Sequence, residues 1–169
     1  ANPNFVKKVI FPLDILPTVA FLSAVFHAAI SVAVLVLAHL MLHQQFHWTV
    51  VLLPVVLLPL ALATLGLSWF VSALGVYIRD VAQVTTMFTT ALLFLSGVFY
   101  PVSSLPVAYR HWIEFNPLTY FIEESRNVLL FGTSPDFPRW GLMLAGCRAV
   151  AWLGFAWFQR SRRGFADVV

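Results

Sequence analysis

The stretch WTVVLLPVVLLPLALATLGLSWFVSALGV, from Trp48 to Val76, contains no Asp, Glu, Lys or Arg. A helix rises about 1.5 Å per residue, and about 20 apolar residues cross the hydrocarbon core of a bilayer, so this run is long enough for one membrane-spanning helix. Pro54 and Pro59 are tolerated in such a helix as a kink or a tilt. The stretch therefore predicts a protein that lies in a lipid bilayer.

The composition extends this prediction to the whole chain of 169 residues. The chain is 60% hydrophobic and 10% charged, and its mean hydropathy is +0.87, which lies outside the range of soluble globular domains. The formal charge of +3 comes from scattered basic residues that form no basic face, so we expect no nucleic acid partner. Cys147 stands alone, which excludes an intrachain disulfide and a cysteine-based metal site.

Four apolar runs are long enough to cross a bilayer, and they predict an all-α membrane protein with spans at about 15–38, 48–76, 81–99 and 140–158. Lys and Arg in short connections are retained on the cytoplasmic side, and those at positions 7, 8, 79, 160, 162 and 163 fall on one side of this arrangement. Residues 1–14 and 159–169 are therefore expected to be cytoplasmic, the first as a leading segment and the second as a tail. The opening ANPNFVKK has neither an initiator Met nor a signal-peptide pattern, which indicates the C-terminal part of a longer protein.

The segment between the third and fourth spans is too broken by prolines to cross the membrane, but it carries helix punctuation twice. Ser104 can cap a helix from about 105 to 115, and a second helix begins with Asn116 and Pro117 and is closed by Gly132. Ten or eleven helical residues extend about 15 Å, which is half the hydrocarbon thickness. The pair predicts a re-entrant helical hairpin on the outer side, at about 104–132, at the mouth of a translocation path.

An interfacial position is the alternative for this pair. In that case the two helices rest on the membrane surface, and their aromatic side chains form a belt at the headgroups. The aromatic residues concerned are Tyr100, Tyr109, Trp112 and Tyr120.

No enzyme chemistry is indicated by the polar residues. Lys7 and Lys8 are the only lysines and neither follows a Gly-rich loop, so we expect no ATP hydrolysis by this chain and no cofactor or metal in it. Glu123 and Glu124 are adjacent, but neighbours on a helix diverge by about 100° and cannot converge on one site. With Arg126 three residues after Glu123, an ion pair or the lining of a path is the better interpretation.

Two polar residues fall inside predicted spans. Arg148 lies near the middle of the last span, and an Arg at the bilayer centre costs about 2.5–3.5 kcal/mol, so it is expected to face the pathway or a partner helix. A snorkelling Arg at a subunit interface is the alternative. His27 shares a stripe with Ser23 and Ser31, which is more typical of helix packing than of a conduit.

Several motifs in order resemble the permease subunits of type-2 ATP-binding-cassette (ABC) exporters. They are NPNFVKKVIFPLDILP, LGVYIRDVAQV, SGVFYPVSSLP with NPLTYFIEESRNVLLFG, and FQRSRRGFADVV. The likeness is strongest to the branch that exports O-antigen, capsular polysaccharide or teichoic acid on a lipid carrier. It implies a multi-pass protein of the bacterial inner membrane with six spans, of which this chain corresponds to the last four. It also implies a homodimer in which each copy binds a separate ATPase subunit that holds ATP and Mg.

The resemblance also implies roles for particular residues. Residues 1–14 are similar to the end of the cytoplasmic coupling segment that docks on the ATPase, and its contacts would be Phe5, Val6, Lys7, Lys8 and Phe11. The two lysines are also compatible with an anchor near lipid headgroups. Tyr77, Arg79 and Asp80 lie in the cytoplasmic turn between the second and third spans and would belong to the coupling contacts. Capping of helix ends and mutual pairing is the alternative for Arg79 and Asp80. The exit helices would carry Pro101, Tyr109, Trp112, Asn116, Pro117, Tyr120, Glu123, Glu124 and Arg126.

The expected function is export of a lipid-linked polysaccharide across the inner membrane, driven by a partner ATPase. Within the same family, the alternative cargo is a drug, a lipid or another small amphiphile. Outside this family there are two alternatives. A membrane-embedded glycan-modifying enzyme would have carboxylates or histidines that converge on one cavity. A passive channel or assembly subunit would have no ATPase partner.

Overall fold

The computed structural model describes residues 15–43, 47–100, 104, 106, 113, 116–162 and 164. Helices make up nearly all of these ranges and no strand occurs within them, which confirms the all-α prediction. In chain order they are α1 (Ile15–His43), a 3-10 turn (Trp48–Leu52), α2 (Leu53–Tyr77), α3 (Val81–Leu95), α4 (Pro117–Arg126), a π-helical turn (Asn127–Phe131) and α5 (Phe137–Ser161).

Three helices are long and apolar enough to cross a membrane. They cover Ile15–Leu42, Trp48–Tyr77 and Phe137–Ser161. The third predicted span, 81–99, is helical only over Val81–Leu95, and its 15 residues extend about 22 Å. The helix stops there because Gly97 adopts a left-handed φ of 69°, which ends a helical run.

Helices α1 and α5 also differ from the sequence prediction at their boundaries. Helix α1 continues to His43 rather than ending near residue 38, since the residues after Ala38 include no helix breaker. Helix α5 begins at Phe137 rather than Trp140, because the Asp136 carboxylate caps it by accepting the backbone N–H of Arg139 at 3.4 Å. A proline in the first turn also favours this start.

Helices α2 and α5 form the main packing unit and run in the same direction. The indole N–H of Trp140 donates to the carbonyl oxygen of Val55 at 2.9 Å near their first turns. Ala73 and Phe158 are buried together near the other end. Because both helices run the same way, the chain between them must return across the layer, and α3 provides that return.

Glycine allows the closest approach between α2 and α5. A Cβ atom on Gly154 would collide with the carbonyl oxygen of Gly66, and one on Gly66 would collide with the backbone of Ala151. Small residues at such a crossing let two helix backbones come together in a membrane, where van der Waals packing and not the hydrophobic effect drives association.

Helix α4 lies beside the long helices and not across their ends. Phe121 is 2% exposed and packs in a buried cluster with Tyr120 and Cys147, against which Leu60 and Met143 also pack. Cys147 is ten residues along α5 from Phe137, a rise of about 15 Å. This depth fits the re-entrant placement better than a helix resting flat on the surface. The first helix of the predicted hairpin lies largely outside the described residues.

Candidate functional site

The start of α4 is built as the sequence predicts. Asn116 is the N-cap, and its side-chain oxygen accepts the backbone N–H of Leu118 at 3.0 Å, with Pro117 in the first turn. The side-chain amide of Asn116 also donates to the carbonyl oxygen of Leu95 at 3.5 Å, so the cap joins α4 to the end of α3. Pro101, Tyr109 and Trp112, which were predicted to belong to the same exit region, lie outside the described residues.

The end of α4 is a π-helical turn fixed against the start of the second long helix. The hydroxyl of Thr49 donates to the carbonyl oxygen of Val128 at 2.8 Å, and both residues are buried. Gly132 closes the turn with a left-handed φ of 65°, as predicted, and a Cβ atom there would collide with the ring of His47. Single π-helical turns of this kind are frequent at functional sites.

Glu123 and Arg126 form an ion pair on α4, so the first of the two interpretations left open by the sequence is observed. The guanidinium lies 2.7 Å from the Glu123 carboxylate. The other guanidinium nitrogen donates to the carbonyl oxygens of Gly97 and Val98, each at 3.4 Å. Arg126 therefore links α4 to the segment that follows α3.

Glu124 points to the other neighbour of α4, the first turn of α5. The Glu124 carboxylate lies near Asp136, and the Arg139 guanidinium lies 5.2 Å from the centroid of the Tyr120 ring. Burial and the Asp136 charge raise the pKa of Glu124, while Arg139 acts in the opposite direction. Burial, with the charges of Glu124 and Asp136, raises the pKa of Tyr120 to about 12.

These four residues, Tyr120, Glu124, Asp136 and Arg139, are called the α4–α5 junction below. Sequence reasoning included Tyr120 and Glu124 among the exit residues but missed the other two. The signal was present, because Asp136 stands two residues before Pro138, a pattern typical of a helix start. The adjacent carboxylates Glu123 and Glu124 face different neighbours, as their angular separation on a helix requires.

An apolar groove lies between α1, α2 and α4. Its volume is about 270 Å³. Leucine side chains line most of it, and Arg126 and Ser125 supply its polar atoms; the other lining residues are Leu35, Leu57, Leu60, Phe121, Ile122, Leu129 and Leu130. The groove is large enough for several methylene groups of an acyl chain, but it carries no converging acid–base pair within the described residues.

The opposite end of α2 holds the described part of the predicted coupling region. Tyr77 donates its hydroxyl proton to the carbonyl oxygen of Ser161 at 2.8 Å and so joins the ends of α2 and α5. Arg79 and Asp80 lie in the exposed turn that follows, and Asp80 precedes α3 at its N-cap position without a side-chain capping bond. Phe5, Val6, Lys7, Lys8 and Phe11 lie outside the described residues.

Both predicted intramembrane polar residues are exposed. His27 sits on the exposed face of α1, where its backbone carbonyl accepts the hydroxyl proton of Ser31 at 3.0 Å. Arg148 is exposed on α5 and makes no hydrogen bond or ion pair with other described residues. The prediction that Arg148 faces a pathway or partner helix therefore concerns a surface outside this chain's own packing.

Metal ligands do not gather in the part of the chain that the structure describes, where no three His, Cys, Asp or Glu side chains are placed to hold an ion. His39 and His47 do approach each other, with ring centroids 6.5 Å apart, beside the end of the π-helical turn. The predicted spans end at about 38 and resume at about 48, so both histidines fall between them, and only the close approach of the His47 ring to Gly132 shows that His47 lies against the turn.

Comparison with known proteins agrees with this architecture. The family model described as ABC-2 type transporter matches residues 1–130. The chain is also 24% identical over 168 residues to the O-antigen export system permease protein RfbA of Myxococcus xanthus, covering 98% of this chain and 65% of that protein. The chain thus spans slightly less than two thirds of the length of this curated relative. Three apolar helices of spanning length and a family match over most of the sequence give one conclusion: the chain belongs to the ABC-2 type transporter family of membrane proteins.

Proposed function

We propose that the chain is the membrane permease part of an ATP-driven exporter that carries a lipid-linked polysaccharide across the bacterial inner membrane. The observation that carries this proposal is the similarity along 98% of the chain to a permease named for O-antigen export. In this proposal two copies of the permease form the pathway, and separate ATPase subunits bind ATP and Mg. The fold is compatible with it, since two apolar helices of spanning length, α2 and α5, pack against the short helix α4.

The outer mouth of the pathway is proposed to include α4. Its start is tied to the end of α3 by Asn116, and Arg126 is bound to the carbonyl oxygens of Gly97 and Val98. A displacement of α3 would therefore be transmitted to α4 through polar contacts at both of its ends. The residues proposed for this role in the described part of the hairpin are Asn116, Pro117, Tyr120, Glu123, Glu124 and Arg126.

The ATPase is proposed to act on the opposite end. Segment 1–14, with Phe5, Val6, Lys7, Lys8 and Phe11, leads directly into α1, and the exposed turn at Arg79 and Asp80 leads into α3. Force applied to these segments would tilt the two helices that enter the membrane from that side. Tyr77 has a different part, because its hydroxyl fixes the ends of α2 and α5 to each other.

Export of a small amphiphile is the second candidate, and the apolar groove between α1, α2 and α4 favours it. A cavity of about 270 Å³ lined mainly by leucine fits an acyl chain better than a hydrated sugar. A polysaccharide would instead need a wide hydrated path, to which a second copy of the permease would contribute.

Reconstitution of the permease with its ATPase in proteoliposomes tests the proposal. We expect lipid-linked polysaccharide to stimulate ATP hydrolysis. Scrambling residues 5–11 of the permease should abolish that stimulation, while the permease still binds lipid and the ATPase still binds nucleotide. A matched preparation with scrambled residues 165–169 in the tail controls for general disturbance of the cytoplasmic side.

Three other outcomes would point elsewhere. Stimulation by short-chain amphiphiles with none by the glycan would replace the first candidate with the second. Chemical change of the glycan without ATP would indicate an enzyme. An unchanged flux in the absence of any ATPase partner would indicate a passive channel.

A further inference from the structure

The apolar groove lies where α1 and α4 approach each other. Helix α4 meets α5 at the α4–α5 junction and packs on α2, and α1 also packs on α2. Between α1 and α4 the groove of about 270 Å³ is lined by Leu57 and Leu60 of α2 and by Leu35 of α1. This volume approaches the roughly 300–1,000 Å³ that is usual for the binding sites of small organic ligands.

Apolar groups are needed to fill the groove when the protein lies in a bilayer. Side chains that line a void lose the dispersion contacts that neighbouring atoms would supply. Helix α1 is long and apolar enough to span the membrane and is exposed along most of its length, and Leu35 itself is 48% exposed. The groove is therefore bordered by a helix that contacts the surrounding lipid, whose tails are as apolar as leucine.

Two neighbouring polar side chains of α4 interrupt this apolar lining. They are Ser125 and Arg126, and no acidic side chain is among the residues that line the groove. The Ser125 hydroxyl oxygen is buried and has no hydrogen-bond partner among the described residues. A buried hydroxyl group of this kind carries an uncompensated cost of desolvation until a ligand supplies an acceptor.

Arg126 also retains hydrogen-bond donors for a ligand. A guanidinium group has five N–H groups, and the bonds to Glu123, Gly97 and Val98 use only three of them. Arg126 lines the groove, whereas its partner Glu123 does not, and the Arg126 side chain is 22% exposed. The groove thus presents positive charge at one place in an apolar surface. That pattern complements an amphiphile with an anionic phosphate group and an apolar tail.

We propose that the groove binds a phospholipid of the bilayer, with one acyl chain between α1 and α4 and with the phosphate group hydrogen-bonded to Arg126 and Ser125. The acyl chain contacts Leu35 on one side and Ile122 on the other, and so joins the exposed helix α1 to α4. The lipid stays in the groove and is not the transported molecule. The proposal therefore does not depend on the proposed export function.

Native mass spectrometry tests the proposal by counting the phospholipid molecules that stay bound to the protein. The permease is purified with its partner subunits, placed in nanodiscs of phosphatidylglycerol and released in the mass spectrometer. Leu35→Trp puts a larger side chain into the groove from an exposed position. We expect this variant to retain about one phospholipid fewer per permease copy than wild type, because a pocket of this size holds a single tail.

Leu37→Trp is the matched control on the same helix. Leu37 is 56% exposed and is not among the residues that line the groove. Two residues apart on a helix point in different directions, since each residue turns by about 100°. The control should retain as much phospholipid as wild type. Equal retention by Leu35→Trp and Leu37→Trp would overturn the proposal.

The phosphate contact is tested with diacylglycerol that carries the same acyl chains but no phosphate group. We expect the protein to bind phosphatidylglycerol about tenfold more tightly or better, because hydrogen bonds between a guanidinium and a phosphate are charge-assisted. Ser125→Ala should reduce this preference by removing one donor at the cost of a single oxygen atom. Equal affinities of wild type for the two lipids would overturn the assignment of the phosphate to Arg126 and Ser125.

Two other occupants of the groove can be detected directly. A photoreactive side chain in place of Leu35 that cross-links to a second permease copy, and not to lipid, would show that the groove is an interface between copies. Displacement of the bound phospholipid by lipid-linked polysaccharide would show that the groove belongs to the path of the cargo. Either result would overturn the proposal. None of these measurements involves ATP or transport, so a negative result leaves the proposed export function unaffected.

Discussion

The hydroxyl of Tyr77 donates a hydrogen bond of 2.8 Å to the backbone carbonyl oxygen of Ser161. The last carbonyl groups of a helix have no hydrogen-bond donor within the helix. The Tyr77 hydroxyl supplies such a donor to one carbonyl group at the end of α5. It also places the ends of α2 and α5 side by side, next to the turn that contains Arg79 and Asp80. A residue that the family resemblance assigns to ATPase coupling thus has a structural contact of its own.

Tyr77→Phe should therefore lower the stability of the α2–α5 unit by about 1 kcal/mol, the usual net worth of one hydrogen bond. The loss is expected as a lower midpoint of thermal unfolding and faster hydrogen exchange in the last turn of α5. Tyr100→Phe is the control, because the Tyr100 hydroxyl bonds to the carbonyl oxygen of Phe94, which belongs to neither helix of the unit. Equal effects of the two variants on α5 would contradict the assignment.

Gly154→Ala should disrupt the α2–α5 crossing. The added methyl group collides with the backbone of Gly66, which cannot move aside as a side chain can. We therefore expect the free energy of unfolding to fall by about 1–3 kcal/mol. Gly146→Ala on the same helix has open space around it and should be neutral or slightly stabilising, by up to about 1 kcal/mol. Unfolding in a denaturing detergent series measures both, and similar midpoints for the two variants would refute the close contact.

Asn116→Ala should weaken the start of α4 by about 1 kcal/mol through loss of the N-cap. Asn116→Asp retains a capping oxygen and should restore most of that loss, although it removes the amide that donates to Leu95. Protease resistance of the connection around residues 116–120 measures the effect. If the Asn116→Ala and Asn116→Asp variants resist the protease equally well, the cap does not stabilise α4.

Arg148→Leu should leave the stability of the isolated permease unchanged, since Arg148 is exposed and makes no contact with other described polar groups. If it faces a pathway or a second copy, the same change should reduce assembly or ATP-driven export. Trp152→Leu is the control, at an exposed position one turn further along α5. It reduces the exposed surface of the same helix without removing a charge, so it distinguishes the effect of the lost charge from that of the lost surface area. Full assembly and export by Arg148→Leu would indicate an Arg that only snorkels to the headgroups.

Much of the fold follows from local features of the sequence. The apolar runs place the long helices because crossing a bilayer demands an uninterrupted apolar stretch whose backbone groups bond internally. Asn116, Pro117 and Gly132 mark the limits of the short helix and its π-helical turn because caps and left-handed glycines act within a few residues of the chain.

The errors at helix ends have the same local origin. Reading α5 as starting at Trp140 overlooked the Asp136 cap four residues earlier. Reading the third span to residue 99 ignored Gly97, whose left-handed backbone ends α3 at Leu95. In both cases hydropathy outweighed a capping signal that was already in the sequence.

The sequence by itself determined the membrane class, the helices and their caps, because these depend on neighbours in the chain. Only the tertiary structure decided that α2 and α5 run parallel in close contact at Gly66 and Gly154. It also decided that Glu123 and Glu124 have different surroundings, the first paired with Arg126 and the second placed against Asp136. Such contacts join residues far apart in the chain, and their energies depend on the distance and burial that packing creates, which no local pattern specifies.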